Sequence, residues 1–243
     1  GNWNSYTSLM LEPWADKPGE YGKAGVSPER VMEIVLAANE SNFDVSVHVD
    51  DSAITRTTID AFEESINAGY KDARNSLQHY HNVHPIDQER TIDLDLAVNS
   101  TPLFGTDWSN TDQQALQILV QERINTSHMP YIEAIRAGVR VSLSGDVPSS
   151  PPAEASALIN IEASMTLCDP SNEISEPFLS GVGISLEQAI KTLTIDPAWQ
   201  ARMEDKIGSI EVGKYADMVI LEQNLFDVAP KDSESVQVLA TMM

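Results

Sequence analysis

Three short runs of β-type residues carry side chains of the kinds that bind metal ions. The run DVSVHV contains His48 near its end, SLQHYH contains His79 and ends at His81, and VRVSLSGD ends at Asp146. Imidazole nitrogens and carboxylate oxygens are common ligands of a catalytic Zn²⁺, which keeps one position open for water or substrate. A carboxylate at such a centre can also accept a proton from the attacking water. The pattern therefore points to a hydrolytic metal centre.

Each of these residues also has an ordinary explanation. His48 precedes an acidic pair at 50–51, which fits a ligand oriented by an acid and equally a polar histidine at a strand end. His79 and His81 fall on one side of the predicted strand, because side chains alternate with period two. They fit shared metal coordination, one ligand with one substrate-facing group, or two loop residues without a role. Asp146 could instead make the local hydrogen bonds typical of Asp in turns.

Alternating helical and strand patterns supply the elements that would position these residues. We predict a helix that begins at Ser27-Pro28 and the strand DVSVHV, then helix 52–68, strand 75–81, helix 86–93, strand 95–101, a polar helical stretch 104–137 and strand 139–145. Because strands alternate with helices, an α/β fold of parallel β/α units is favoured over a sandwich. Four such strands are half of the eight that close a (β/α)8 barrel, in which site residues lie at the C-terminal ends of strands.

The C-terminal region changes character. A helix is predicted over 153–166, a polar linker over 168–183, and two helices in SLEQAIKTLTIDPAWQARM that separate at Asp196-Pro197, because a residue before proline avoids helical backbone. GSIEVGKYADMVIL and SVQVLATMM predict strands of a small second sheet. We therefore predict a barrel segment at residues 1–206 and a partial β-sandwich segment at 207–243.

Composition excludes several classes of function. The chain has 15 Lys+Arg against 37 Asp+Glu, a formal charge of −22, and such a surface repels nucleic acid and anionic membranes. No apolar stretch approaches the roughly 18 residues of a membrane span. The single Cys168 excludes an intramolecular disulfide and is expected to be a small buried residue. The first residues lack the pattern of a signal peptide, and the compartment stays open, with the cytoplasm favoured.

The motifs resemble the amidohydrolase superfamily, specifically amidohydrolase family 3, which includes N-substituted formamide deformylases, relatives of D-aminoacylases and exoenzyme-regulatory proteins. The tail LEQAIKTLTIDPAWQARMEDKIGSIEVGKYADMVILEQNLFDV is similar to the family's run from the last barrel helices into a small β-sandwich. VHVDDSAI, SLQHYH and VSLSGDVPSSP resemble the family's segments at barrel strands five, six and eight. NSYTSLMLEPW resembles a further family segment, so the similarity runs nearly from end to end.

This resemblance implies strands five to eight of a (β/α)8 TIM-type barrel, followed by part of a small β-sandwich. It implies a metal-dependent hydrolase of amide-type, non-peptide C–N bonds in a small molecule. His48, His79 and Asp146 would be metal ligands, with Asp146 also the general acid/base, and Asp51 and His81 would lie beside the ligands or face the substrate. Zinc is the implied metal, with one or two ions in an intact parent and at most one in this chain.

Several positions depart from the family pattern. Asp50 replaces a Gly, His81 replaces a Gln, and Ser144-Gly145 reverses the Gly-Ser order before Asp146, changes that would reshape the pocket without removing a ligand. The family's strand-one His-x-His and its bridging lysine have no counterpart here. We expect them upstream of Gly1, with both termini internal to a longer family member.

Two other hypotheses fit the same sequence. In the first, the chain is a truncated or regulatory relative that performs no hydrolysis and folds by pairing, either as a homo-oligomer or with the missing N-terminal half. Half a barrel would expose sheet edges and an apolar face, which favours such pairing. In the second, the chain is a β/α binding module unrelated to hydrolysis.

Overall fold

A computed structural model describes most of the chain: residues 1–3, 5–105, 112–150, 152–171, 177 and 183–243. The chain divides into two units, Gly1–Ser100 with Asn110–Arg140, and Thr101–Ser109 with Val141–Met243. The division at residues 206 and 207 stays a prediction. Within the described ranges, no helix is both long and apolar enough to cross a membrane.

The first unit is built on parallel strands. β1 (Ser46–Val49) pairs with β2 (Ser76–His79), and β2 pairs with β3 (Ala97–Ser100), in both cases parallel. On the far side of β3, the N–H of Val98 donates to the carbonyl oxygen of Arg140 at 3.0 Å. The predicted α/β class with parallel β/α units is confirmed.

The register of these strands decides where the following loops start. Val49 lies opposite His79, so the chain leaves β1 and β2 side by side at the same end of the sheet. Val49 and Leu77 are fully buried, which anchors both strands. A shift by one residue would turn these side chains to the other face, so burial fixes the register.

Five helices in the described part of the first unit accompany the strands. They are α1 (Pro28–Glu40), α2 (Ser52–Asn67), α3 (Pro85–Asp93), α4 (Asp112–Ser127) and α5 (Tyr131–Arg136). α1 begins as predicted, since the Ser27 hydroxyl accepts from the N–H of Arg30 and Pro28 occupies the first turn. α4 is interrupted at Val120, whose φ of 58° and ψ of 155° are not helical.

Ion pairs, two of them to a buried carboxylate, fix α2 against α3. The fully buried carboxylate of Asp87 accepts from Arg56 Nε at 3.0 Å and from Arg90 at 3.2 Å. Arg90 also reaches Asp60 and Glu63 on α2, at 2.8 and 2.6 Å. These contacts hold the two helices that follow the loops after β1 and β2.

The strands and α-helices described in the second unit are β4 (Val141–Leu143), α6 (Ala157–Thr166), α7 (Leu186–Leu193), α8 (Ile195–Gln200), β5 (Met218–Leu221) and β6 (Val238–Met242). β5 and β6 form an antiparallel pair, which confirms strands in the tail. The predicted linker at 168–183 falls largely outside the described residues. Cys168 was expected to be buried, but it is only half-buried.

The break between the last two helices was predicted at the wrong residue. α7 and α8 separate at Thr194, with φ −128° and ψ −86°, and Pro197 lies in the first turn of α8. The first N–H groups of a helix have no partner within that helix, so a proline costs no hydrogen bond there. The proline is therefore accommodated in the first turn of a helix, where the sequence suggested an interruption.

Candidate functional site

β2 ends at His79 because the backbone turns into the left-handed region. His79 has a φ of 70° and Tyr80 a φ of 59°, an uncommon conformation for residues other than glycine. His81 therefore lies beyond the strand, and the prediction that both histidines project from one side of a strand is wrong. Tyr80 is almost completely buried, and this burial anchors the turn.

Four histidine rings nevertheless form a continuous row. The ring centroids of His48 and His79 are 4.6 Å apart, those of His79 and His81 are 5.7 Å apart, and those of His81 and His128 are 5.7 Å apart. His48 is exposed, whereas the other three rings are buried. We call these four residues the histidine row. It brings together three residues that the sequence singled out and adds His128, which it did not.

The carboxylate of Asp50 orients His81. His81 Nδ1 and Asp50 Oδ1 are 2.6 Å apart, and the backbone N–H of Trp3 donates to Asp50 Oδ2 at 3.0 Å. Burial acts to raise the pKa of Asp50, but the hydrogen bond and charge of His81 outweigh it, and the pKa lies below its ordinary value. The ionised carboxylate accepts the Nδ1 proton of His81, and this bond fixes the orientation of the ring. The sequence left open that an acid orients His48, whereas the hydrogen bond of Asp50 goes to His81.

The side-chain amide of Asn82 links the two loops to His128. Its Nδ2 donates to Asp51 Oδ1 at 2.8 Å and to the backbone carbonyl of Asp50 at 3.4 Å. Because a backbone carbonyl can only accept, this end of the amide is the nitrogen, and Oδ1 faces His128 Nδ1 at 2.8 Å. His128 therefore carries its proton on Nδ1, and the lone pair of the neutral ring is on Nε2.

Asp51, the other acid predicted for the site, is completely buried at the start of α2. Its side chain makes no capping bond to the helix. Burial, followed by the charge of Asp50, raises the pKa of Asp51 well above its ordinary value. Two neighbouring carboxyl groups with pKa values moved in opposite directions can act as a proton acceptor and a proton donor at one pH.

The residues predicted to hold a metal are only partly brought together. His48 and His79 are in contact at the ends of adjacent strands and fit two ligand positions of a divalent metal, for which imidazole is a suitable donor. Asp146 belongs to the second unit, follows β4 and has a φ of 52°. Among the described residues, no group of three or more His, Cys, Asp or Glu side chains is arranged to hold a metal ion. The ligand set of His48, His79 and Asp146 stays a prediction.

Sequence reasoning missed two members of the polar network. His128 lies between α4 and α5 without periodic context, and its contact with Asn82 spans 46 positions of the chain. Asn82 was visible only as the neighbour of His81. The acidic pair at 50–51 was the feature of the sequence that pointed to this network, because it directly follows a strand that contains a histidine.

The chain matches the Amidohydrolase family over residues 1–243. It is 26% identical over 242 residues to Protein LONG AFTER FAR-RED 3 of Arabidopsis thaliana, and the alignment covers 99% of this chain and 40% of that protein. It is 25% identical over 222 residues to N-substituted formamide deformylase of Arthrobacter pascens, and this alignment covers 88% of this chain and 38% of that protein. The chain thus spans about two fifths of the length of these curated relatives.

Solved structures share the fold. A metal-dependent hydrolase from Pyrococcus horikoshii OT3 superposes with a TM-score of 0.79 at 19% identity, over 97% of this chain and 44% of that one. A metal-dependent hydrolase from Pyrococcus furiosus gives 0.71 at 22% identity, over 89% of this chain and 41% of that one. Identities at this level establish a common fold and no more.

The titration of His128 predicts a pH dependence of stability. Burial, followed by the nearby His81, lowers the pKa of His128 to about 3, against about 6.5 in an unfolded chain. Between these values the unfolded chain binds a proton that the folded chain does not. The contribution of neutral His128 to the free energy of unfolding is therefore full above pH 6.5. It declines as the pH falls toward 3, by up to about 1.4 kcal/mol per pH unit.

His128→Asn removes this titration and keeps a donor near the position of Nδ1. We measure the free energy of unfolding by urea denaturation between pH 6.5 and pH 4. As the pH falls, we expect this free energy to decrease less steeply in the variant than in the original chain, by up to about 1.4 kcal/mol per pH unit. Equal slopes for the variant and the original chain would contradict the assignment.

Proposed function

The chain belongs to the amidohydrolase family, and on this basis we propose that its function is metal-dependent hydrolysis of an amide-type C–N bond in a small, non-peptide substrate. The contact between the rings of His48 and His79, at the ends of adjacent parallel strands, is the observation that carries the proposal. It supplies two imidazole donors from the strand ends at which hydrolases of the barrel fold build their sites.

We assign β1 to β4 to strands five to eight of a (β/α)8 barrel, and β5 and β6 to part of a β-sandwich. The parallel pairing of β1, β2 and β3 and the alternation with helices support this assignment. So does the superposition on the Pyrococcus structures over nearly the whole of this chain. The C-terminal ends of β1 and β2 would then lie at the rim that carries the site.

In this proposal His48, His79 and Asp146 hold a divalent metal ion, which we assign as zinc. Such an ion, when bound, supplies Lewis-acid polarisation of the amide carbonyl. The carboxylate of Asp146 would take a proton from the attacking water and deliver it to the leaving nitrogen. His81, fixed by Asp50 through Nδ1, would face the substrate with Nε2.

Metal content tests the ligand assignment without any assay of activity. After incubation with Zn²⁺ and desalting, we expect the full chain to retain about one equivalent, because neutral imidazoles bind zinc at a site that keeps one position open. His48→Ala and His79→Ala should each lower the retained zinc at least tenfold, as measured by mass spectrometry of the metal.

His84→Asn is the matched control for this measurement. His84 accepts from the N–H of Ile86 at the start of α3, and asparagine preserves such a cap. Zinc retained by both alanine variants, or lost equally from the control, would exclude the proposed ligands.

Amine release tests the hydrolytic function. The relative named as an N-substituted formamide deformylase makes N-substituted formamides the first substrates to try. We expect the zinc-loaded chain to release the amine, and Asp146→Asn to lower kcat by about 100-fold or more because the proton acceptor is lost. If the unmodified, metal-loaded chain releases no amine from any of these substrates, the non-catalytic alternative is favoured.

A specific surface supports the alternative of a chain that acts through pairing. In the second unit, Val219 and Ile220 on β5 and Val238 and Leu239 on β6 are each about half exposed or more. Consecutive strand residues face opposite sides of a sheet, so both faces of this two-stranded sheet carry exposed apolar side chains, and its free edges can pair with a further strand. We therefore propose that this pair of strands binds a second copy of the chain.

Light scattering across a concentration series tests this pairing. We expect a mass near twice 26.6 kDa, and a return to the monomer in Leu239→Lys, because a charge in an apolar contact is costly. Phe43→Lys introduces the same charge at an exposed apolar residue of the first unit and should leave the mass unchanged. A monomer at all concentrations would exclude the pairing.

A further inference from the structure

The carboxylate of Asp50 joins three segments of the first unit through its two oxygen atoms. His81 Nδ1 lies 2.6 Å from Oδ1, and the backbone N–H of Trp3 donates to Oδ2 at 3.0 Å. Asp50 directly follows β1, His81 lies two residues beyond β2, and Trp3 belongs to the N-terminal segment. The carboxylate is therefore fixed from two directions, and so is the imidazole ring that it holds.

Burial strengthens the hydrogen bond between Asp50 and His81. The side chains of Asp50 and His81 are 6% and 3% exposed. A hydrogen bond to an ionised group is stronger away from water, because solvent neither screens it nor competes for it. Removal of one partner would leave the other buried without this bond, which is costly. A change at either residue therefore alters the state of the other.

A carboxylate is the side chain that can make both contacts of Asp50 at once. It has two acceptor oxygens, whereas an asparagine amide has one acceptor and one donor group, and would direct its NH2 at either the Trp3 N–H or the His81 Nδ1–H. Glycine would make neither contact. In the motifs that the chain resembles, Gly stands at position 50 and Gln at position 81. These two departures are thus the two partners of a single hydrogen bond.

His81 also lies beside the two rings assigned to the metal. The centroid of its ring is 5.7 Å from that of His79, which is 4.6 Å from that of His48. Because Asp50 engages Nδ1, Nε2 is the ring nitrogen through which His81 can contact a substrate. An imidazole held in this way keeps one orientation, and a contact to substrate requires such preorganisation.

From this geometry we propose that Asp50 is a positioning residue of the site: it holds the His81 ring so that Nε2 contacts the amide group of the substrate, and it acts on the reaction only through His81. This inference rests on the proposed hydrolytic function for the substrate and for the place of His81 beside it, while the hydrogen bond stands on the structure alone. Asp50 itself touches no substrate atom, because it is buried and donors of the protein engage both of its oxygens.

The proton on His81 Nδ1 tests the hydrogen bond in solution without any substrate. In the full chain labelled with ¹⁵N-histidine, we expect this proton far downfield, because a short hydrogen bond to an ionised carboxylate deshields it. The resonance is assigned by its loss in His81→Gln. Asp50→Asn should move it upfield, whereas Asp60→Asn, the same change at a carboxylate that pairs with Arg90, should leave it in place. A downfield proton that is absent from the original chain, or that persists in Asp50→Asn, overturns the proposal.

A double-mutant cycle in amine release separates positioning from a purely structural role. Asp50→Asn and His81→Gln should each lower kcat for N-benzylformamide by about tenfold or more, with KM changed less than about twofold, because the lost contact stabilises the transition state. The double variant should be no slower than His81→Gln alone, because Asp50 acts only through His81. Asp60→Asn should leave kcat unchanged in both backgrounds. If thermal unfolding shows that Asp50→Asn is not folded, the smaller Asp50→Ser takes its place.

The outcomes separate this inference from the proposed function. If the zinc-loaded chain releases no amine, the test is the binding of N-benzylformamide, followed through the ¹⁵Nε2 resonance of His81. A shift of this resonance that is lost in Asp50→Asn supports the positioning role and contradicts the hydrolase. Amine release in which the losses of the two single variants multiply supports the hydrolase and overturns the positioning role. The absence of both amine release and a shift at the solubility limit of the probe overturns both.

Discussion

The side-chain amide of Asn82 holds together the segments on which the candidate site depends. It donates to the side chain of Asp51 and to the backbone of Asp50 after β1, and it accepts from His128 after α4. Only a side chain with a donor and an acceptor at its end can make both kinds of contact at once. The amide is in position because the chain leaves β2 through left-handed residues at His79 and Tyr80, and Asn82 itself has a φ of 48°.

This arrangement gives neighbouring groups different protonation states in a buried environment. His81 lowers the pKa of Asp50 against the effect of burial, while burial and the charge of Asp50 raise the pKa of Asp51. His128, buried beside them, is neutral at ordinary pH because its pKa is about 3. Proton transfer needs such differences between adjacent groups, and exposed side chains would lose them to solvent screening. The polar network thus holds neighbouring groups in different protonation states as well as joining segments of the chain.

The surrounding elements keep the network in place. The buried carboxylate of Asp87 and its two arginines fix α2 against α3, the helices that follow the loops of Asp51 and Asn82. From the other side, the N-terminal segment contacts the network through the backbone of Trp3, and the Trp3 ring packs edge-on against His128, with centroids 5.8 Å apart. The N–H of Leu11 in the same segment donates to the hydroxyl of Ser52, the residue after Asp51, so one stretch of chain contacts this region at two points.

The sequence by itself determined the α/β class, the parallel strands, the helices that accompany them and the family, because hydrophobic periodicity, caps and motifs are local properties of the chain. It also identified His48, His79, His81 and Asp51 as candidates, since each follows or ends a recognisable strand. The tertiary structure alone decided that Asp50 orients His81 and not His48, and that His128 and Asn82 belong to the network. It also decided that α7 ends at Thr194, ahead of Pro197. The physical reason is that these outcomes depend on left-handed backbone at single residues and on hydrogen bonds between segments as many as 46 residues apart, which no local pattern encodes.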